Sequence, residues 1–213
     1  MKKYVKIINI IDKSGSMSSM IDMAINGFNE FLTEQKSVDG NALVSTILFS
    51  DVYKPLYDDQ DIQECKLFDK NNYVTGGMTK IYDSVCKTIN NEINKLGNLP
   101  KDKRPEKTLC VILTDGQENN SKQFSKEQTK KLVQEMKDDF NWEFIFLGAD
   151  ENAAFTAESI GISRGNSYAF ANNSVGLSDA YQNISRATKV YRMSADVSMD
   201  NLLNDEKPKK SKK

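Results

Sequence analysis

Two short apolar runs in this chain each end at an aspartate, and this repeated pattern restricts the fold more than any other feature. Residues 4–11 end in Ile-Ile-Asn-Ile-Ile directly before Asp12, and residues 107–114 contain Leu-Cys-Val-Ile-Leu shortly before Asp115. Short apolar runs bounded by polar residues are typical of buried strands. An aspartate that follows such a strand lies on a loop, where it is available for binding. We therefore predict a strand in each run, followed by a functional loop.

Strand and helix patterns alternate along the rest of the chain. The predicted helices lie at about 18–37, 79–96, 126–140, 151–160 and 174–194, and the further strands at about 42–50, 52–57, 142–147 and 167–170. The short link at Ser50-Asp51 permits only a hairpin, so one strand runs antiparallel at an edge. Alternating strands and helices predict an α/β fold, namely a doubly wound, mostly parallel six-stranded sheet of Rossmann-like form with one antiparallel edge strand and helices on both faces.

Five side chains are candidate metal ligands. The first loop reads Asp-Lys-Ser-Gly-Ser, which supplies the carboxylate of Asp12 and the hydroxyls of Ser14 and Ser16; Thr79 follows a diglycine downstream, and Asp115 ends the other strand. These are hard oxygen ligands, which suit Mg²⁺, Mn²⁺ or Ca²⁺. In an open parallel sheet, ligands bind at the carboxyl ends of the strands where the strand order reverses. If the two aspartate-terminated strands are neighbours, the candidates converge there.

Other interpretations of single residues stay open. Asp12 and its serines, or Thr79, could only cap the following helices, since Ser, Thr and Asp are favoured caps. Asp83 could support the site through a serine hydroxyl or a metal-bound water, or could only favour the start of its helix. The segment 117–120 lies on the same rim and could contact a partner, and Asp150 at the end of another strand is unassigned.

The three-part pattern resembles the metal-ion-dependent adhesion site of von Willebrand factor type A (VWA) domains, the family that includes integrin I domains. Asp12, Ser14 and Ser16 match the first loop, Thr79 the second, and Asp115 the third, where Thr114-Asp115-Gly116 fits the usual T-D-G form. The likeness covers roughly residues 3–195. It is nearest to the compact bacterial and phage members, whose second loop reads G-G-T-x-x-Y-D. Here Met78 is inserted between the diglycine and Thr79.

The resemblance implies a metal-dependent protein-binding module that is not an enzyme. The five ligands would hold Mg²⁺, Mn²⁺ or Ca²⁺, and the ion would bind an acidic side chain of a protein partner. One alternative is a Mg²⁺-dependent phosphatase or phosphotransferase with Asp12 as nucleophile. It lacks a second carboxylate at position 14, where the chain has serine. A metal-free scaffold, in which the same residues serve only as caps, is the other alternative.

Composition narrows the function classes. Histidine is absent, which excludes Ser-His-Asp and Cys-His triads and His-ligated zinc. Residues 1–206 carry 24 Lys and Arg against 30 Asp and Glu, so an acidic body argues against nucleic-acid binding. No run approaches the ~20 apolar residues of a membrane helix. The three cysteines show no Cys-x-x-Cys spacing and the N-terminus lacks a signal-peptide pattern, so we expect a cytoplasmic protein.

The domain prediction places one VWA-like domain over residues 1–195. Residues 196–213 are predicted to be a disordered tail, since 207–213 contain five lysines and no apolar residue. The sequence does not determine the oligomeric state or the identity of the partner.

Overall fold

The computed structural model describes residues 4–115, 118–149, 152–170, 174–194, 198–199 and 202. Six strands form one sheet: β1 (Tyr4–Asp12), β2 (Asn41–Phe49), β3 (Tyr53–Asp61), β4 (Lys107–Thr114), β5 (Trp142–Gly148) and β6 (Ser167–Ala169). Their order is β3-β2-β1-β4-β5-β6. All neighbouring pairs are parallel except β2 with β3, which is the predicted edge hairpin. The predicted fold class is therefore confirmed.

Within these described residues, five α-helices connect or follow the strands: α1 (Ile21–Lys36), α2 (Ile81–Gly97), α3 (Lys126–Phe140), α4 (Ala153–Ser159) and α5 (Ser174–Met193). The bounds differ from the predicted ones mainly at α1, which is preceded by a 3₁₀ turn over Gly15–Met20. Strand β3 is also longer than predicted and continues to Asp61 through a register shift. Its last residues are charged, which an edge strand tolerates because one of its sides is exposed.

The helices cover both faces of the sheet. Along β1, Ile7 and Ile11 pack into the core beneath α1 and α5, whereas Ile8 and Ile10 pack into the core beneath α2, α3 and α4. Successive residues of a strand point to opposite faces, so one apolar strand supplies both cores. This two-sided burial explains why β1 and β4 are apolar runs rather than alternating patterns.

Helices α1 and α5 approach each other closely at Gly27. A Cβ atom built on this glycine would lie 2.2 Å from Cδ2 of Tyr181. The tyrosine ring is buried and has no space to retreat, since the interior is close-packed. Glycine is therefore required at this helix contact for its lack of a side chain.

We expect Gly27→Ala to destabilise the protein by roughly 1–3 kcal/mol because it overpacks this contact. The matched control is Gly97→Ala at the end of α2, where an added Cβ meets no atom within 4 Å. There alanine should be neutral or slightly stabilising through its helix propensity. Urea unfolding of both variants measures the difference, and equal effects would show that α1 and α5 are not packed in this way.

The chain beyond α5 returns to the core at the residues that are described. Met199 is fully buried in the core beneath α1 and α5, its backbone N–H donates to Oε1 of Glu143 at 3.3 Å, and Leu202 packs beside the same core. The expectation that the chain leaves the fold after about residue 196 thus differs from the structure at these two positions. The predicted tail otherwise falls largely outside the described residues, so the domain division stays a prediction.

Met199→Ala should lower the free energy of unfolding by about 2 kcal/mol, because it removes a buried side chain from the core. Met193→Ala is the control, since that side chain is 64% exposed. Its effect should stay within roughly 0.5 kcal/mol. Thermal melts compare the two. A Met199→Ala protein as stable as the control would show that this segment does not dock.

Candidate metal centre at the carboxyl edge of the sheet

The two candidate carboxylates meet because β1 and β4 are adjacent parallel strands. Ile11 pairs with Leu113 in the strand register, so Asp12, the last residue of β1, lies next to the end of β4, which Asp115 follows. The strand order reverses here, with β2 on one side of β1 and β4 on the other. This is the crevice that open α/β sheets use for ligands.

Asp12 is held from three directions. Its carboxylate accepts a hydrogen bond from the backbone N–H of Ser14 at 2.7 Å through Oδ1 and from the hydroxyl of Thr114 at 2.6 Å through Oδ2. Its backbone carbonyl accepts from the hydroxyl of Tyr73 at 2.6 Å. The side chain is fully buried. Thr114 and Tyr73 were not assigned to the site by the sequence, although Thr114 lies next to Asp115 in the motif.

The two serine hydroxyls connect the aspartates. Oγ of Ser14 lies 3.1 Å from Oγ of Ser16, and the hydroxyl of Ser16 donates to Oδ1 of Asp115 at 2.8 Å. Four of the five predicted ligands therefore lie in one continuous series of close polar contacts. The series begins at a buried carboxylate and ends at the half-buried Asp115.

Thr79 lies on a second loop that is joined to the first by its backbone. The N–H of Gly15 donates to the carbonyl of Gly77 at 2.9 Å, and the N–H of Gly76 donates to the carbonyl of Lys13 at 2.8 Å. Gly77 has a φ of 83°, a conformation that favours glycine. The position of Thr79 beside the first loop is thus set by main-chain contacts.

Thr79 is also fixed from the third loop. Its N–H donates to Oδ1 of Asn119 at 3.0 Å, and its carbonyl accepts from the N–H groups of Asn119 and Asn120 at 3.2 Å. It does not cap the helix, since α2 begins at Ile81 with Lys80 in the cap position. All three predicted loops therefore come together at this edge.

No protein-family model matches the chain, and no curated protein sequence matches it. Solved structures do match its fold. The von Willebrand factor domain of the type V pili tip protein Mfa5 from Porphyromonas gingivalis is 10% identical with a TM-score of 0.65, over 93% of this chain and 99% of that one. Proximal thread matrix protein 1 from the mussel byssus, with zinc in its metal-ion-dependent adhesion site (MIDAS) motif, is 15% identical with a TM-score of 0.61, over 88% of this chain. The chain has the von Willebrand factor type A fold.

A further neighbour with this VWA fold is the ArnB paralog VWA2 from Sulfolobus acidocaldarius, at 15% identity and a TM-score of 0.57 over 86% of the present chain. The present chain spans only 46% of the mussel protein and 44% of the Sulfolobus protein. At these identities the comparisons establish the fold. They leave the ligand set of this chain as a prediction.

Two acidic residues near this edge of the VWA fold hold loops instead of extending the candidate site. The carboxylate of Asp83 accepts hydrogen bonds from the backbone N–H groups of Lys122, Gln123 and Phe124 at 2.9–3.0 Å. Glu118 accepts from the N–H of Tyr82 in the first turn of α2 at 3.2 Å. The sequence suggested that Asp83 supports the metal site or favours the start of its helix. Neither interpretation includes this contact with the backbone of the third loop.

The segment 117–120, for which contact with a partner was one open interpretation, is partly internal where it is described. The Glu118 carboxylate also accepts from the N–H groups of Asn120 and Ser121, and Asn119 binds Thr79. Residue 117, like Asp150, lies outside the described residues. One sequence signal could have indicated these contacts. Lys80, at the cap position of α2, supplies no capping hydrogen bond, so the first N–H groups of this helix need acceptors from another segment.

The electrostatics of the candidate site fit a divalent cation. Burial, with a smaller contribution from the charge of Asp115, raises the pKa of Asp12 to about 6, although the hydrogen bonds from Thr114 and Ser14 act to lower it. Burial likewise raises the pKa of Asp115. Within the described ranges, neither carboxylate forms an ion pair with a lysine or arginine. Two carboxylates without a cation, joined by hydroxyls, form a donor set that suits a hard metal ion.

A second acidic cluster is already paired with lysines. Asp58, Asp59 and Glu92 lie close enough to share an ion. However, Lys6 pairs with Asp59 and Glu92, and Lys95 pairs with all three carboxylates. These lysines provide the positive charge that the candidate metal centre lacks, so the cluster is an ion-pair network at the opposite edge of the sheet.

Asp83→Ala should destabilise the protein by about 2 kcal/mol, because it leaves three backbone N–H groups without their charged acceptor. Asp39→Ala is the control, since Asp39 lies in an exposed turn and should contribute less than roughly 0.5 kcal/mol. Urea denaturation without added metal measures both. If Asp83→Ala matched the control, the loop after β4 would not depend on this carboxylate.

Proposed function

We propose that the chain is a metal-dependent protein-binding module. Asp12, Ser14, Ser16, Thr79 and Asp115 would hold a divalent cation, and an acidic side chain of a protein partner would bind to that ion. The observation that carries the proposal is the pair of carboxylates, linked through two serines and without a cationic partner among the described residues. The carboxyl edge of a doubly wound sheet is also where this fold class binds ligands.

The donor set favours Mg²⁺, with Mn²⁺ or Ca²⁺ as alternatives. All five candidates offer oxygen, and Mg²⁺ and Ca²⁺ prefer oxygen ligands. Three of the five are neutral hydroxyls, and the two aspartates would balance the charge of a divalent ion. Because Mg²⁺ takes six oxygen ligands, five side chains would leave a position for a carboxylate of the partner. The chain's own part is to orient its ligands: Thr114 and the Ser14 backbone hold Asp12, and Asn119 holds Thr79.

The structural neighbours support this proposal by analogy. The mussel byssus protein has zinc in its MIDAS motif, and the Mfa5 domain belongs to a pilus tip protein. A pilus adhesin, SpaC from Lactobacillus rhamnosus GG, matches the fold as well, with a TM-score of 0.63 at 16% identity. For this chain, the protein partner and its acidic residue remain proposals.

The geometry favours binding over catalysis. Asp12 is fully buried, and both of its carboxylate oxygens accept short hydrogen bonds. A nucleophile must instead present an accessible oxygen to its substrate. We therefore propose that the protein is not an enzyme. Phosphate release from small phosphodonors, compared with and without Mg²⁺, tests the phosphatase alternative.

We propose a cytoplasmic location. Cys65, Cys86 and Cys110 are buried free thiols, which agrees with a reducing compartment. Among the helices of the described chain, none is both long and apolar enough to cross a bilayer. An acidic body also makes nucleic acid an unexpected partner.

Saturating Mg²⁺ or Mn²⁺ should raise the melting temperature of the wild-type protein, because an ion that binds only the folded state stabilises it. Asp12→Ala should abolish this increase. At a metal concentration of about 100 times the dissociation constant, binding adds ~2.7 kcal/mol to the free energy of unfolding. Differential scanning calorimetry with metal and with EDTA measures the effect.

Asp58→Ala is the matched control because it removes a carboxylate from the second acidic cluster. The metal-induced increase should survive in this variant. If the increase were lost in Asp58→Ala but kept in Asp12→Ala, the ion would bind at the second acidic cluster, and the proposed site at Asp12 would be wrong. Identical melting temperatures of the wild type in metal and in EDTA would contradict the proposal as a whole, and favour the metal-free scaffold.

A further inference from the structure

A groove adjoins the candidate metal loop on the side of the β2–β3 hairpin. It has a volume of about 350 Å³ and is lined by residues of three segments, including Lys13, Val52, Lys54, Val74 and Gly77. Lys13 stands between the ligands Asp12 and Ser14 in the sequence. The groove therefore adjoins the first loop through Lys13, next to the candidate ligands in the sequence.

Apolar side chains are exposed around this groove. Val52 is 59% exposed, Val74 is 60% exposed, and Met78, which adjoins Gly77 at the end of the groove, is 49% exposed. They belong to the hairpin turn and to the loop that carries Thr79. Apolar residues that gather beside a polar site are typical of contact surfaces for protein partners.

The charge of the groove is positive although the body of the chain is acidic. Lys13 and Lys54 line it, and the ammonium of Lys80 lies 3.5 Å from the backbone carbonyl of Asp51. None of these lysines forms an ion pair with the carboxylates that the structure describes. The one acidic residue of the lining, Asp51, accepts a hydrogen bond from the N–H of Met78. Lys13 donates to Oγ of Ser50 at 3.1 Å. The hydrogen bond from Met78, helped by the charges of Lys80 and Lys13, lowers the pKa of Asp51. Lys54 is exposed and is the lysine most available to an acidic partner, with Lys13 beside it in the lining.

The groove is preformed. The N–H of Gly76 donates to Lys13, the N–H of Gly15 donates to Gly77, and Met78 donates to Asp51, so the hairpin and both loops are joined to one another. A Cβ atom on Gly77 would lie 2.1 Å from Oδ1 of Asp51, which keeps the backbone close at this point. A preformed surface loses little conformational freedom when a partner binds.

We propose that this groove selects the partner by the residues that flank its metal-bound acidic side chain. An apolar side chain of the partner packs against Val52, Val74 and Met78, and a second acidic side chain pairs with Lys13 and Lys54. The occupant is thus an acidic segment of a protein that carries an apolar residue close to the metal-bound one. This inference rests on the metal-dependent binding proposed above, and adds the sequence that is recognised.

The test is a selection of random twelve-residue peptides displayed on phage, bound to the full chain in Mg²⁺ and eluted with EDTA. The wild type should enrich peptides with one Asp or Glu flanked by an apolar residue and a second acidic residue. The Lys54→Glu variant should lose the preference for the second acidic residue of the peptide. The Val74→Ser variant should lose the preference for the apolar flanking residue. A synthetic peptide of the wild-type consensus should bind each variant about tenfold more weakly, which corresponds to ~1.4 kcal/mol.

Lys131→Glu on α3 and Val190→Ser on α5 are the matched controls, since both residues are exposed and belong to helices on the two faces of the sheet. Both should keep the wild-type consensus. Peptides that elute with EDTA but show no flanking preference, or the same preference in Lys54→Glu and Val74→Ser, would overturn the groove while leaving metal-dependent binding intact. If EDTA elutes no peptides from the wild type, metal-dependent binding and the groove proposal fail together.

Discussion

The parallel pairing of β1 with β4 is the constraint on which the candidate site depends. It places Asp12 and Asp115 at neighbouring strand ends. The hydroxyl of Thr114, the residue before Asp115, donates to the carboxylate of Asp12 although 102 positions of sequence separate the two residues. The apolar residues of both strands support this pairing by filling the cores on the two faces of the sheet. Loss of register by one residue would exchange those faces. The same burial that stabilises the sheet therefore fixes the two carboxylates.

Burial also determines the electrostatic character of the edge. Asp12 lies in the protein interior with hydrogen-bond donors but with no ion pair among the described residues, and its raised pKa reflects the cost of that burial. At the opposite edge, Glu92 is just as buried, but Lys6 and Lys95 accompany it. The contrast between an acidic cluster that is paired with lysines and one that has no ion pair among the described residues is the physical basis for proposing a metal ion at the carboxyl edge.

Hydrogen bonds in which at least one partner is a backbone group connect the loops around this edge. The first and second loops are joined through Gly15, Gly76 and Gly77, and Asp83 and Glu118 join the third loop to α2 by accepting backbone N–H groups. This network explains how Thr79 is positioned although Met78 is inserted beside it. It also joins the segments that line the groove, so the proposed peptide groove and the candidate metal centre share one scaffold.

The sequence by itself determined the alternation of strands and helices, the edge hairpin and the strand ends that carry Asp12 and Asp115, because hydrophobic periodicity and strand-end residues are local signals. It also grouped the serines with these aspartates, while their role as ligands stays a prediction. Only the tertiary structure decided the contacts of Asp83, Glu118 and Tyr73, the close approach at Gly27, and the docking of Met199. Each of these contacts joins segments that are distant in sequence. The hydrogen bonds involve backbone groups that every residue possesses, and the packing at Gly27 and Met199 depends on the space between elements, so no local sequence pattern predicts either.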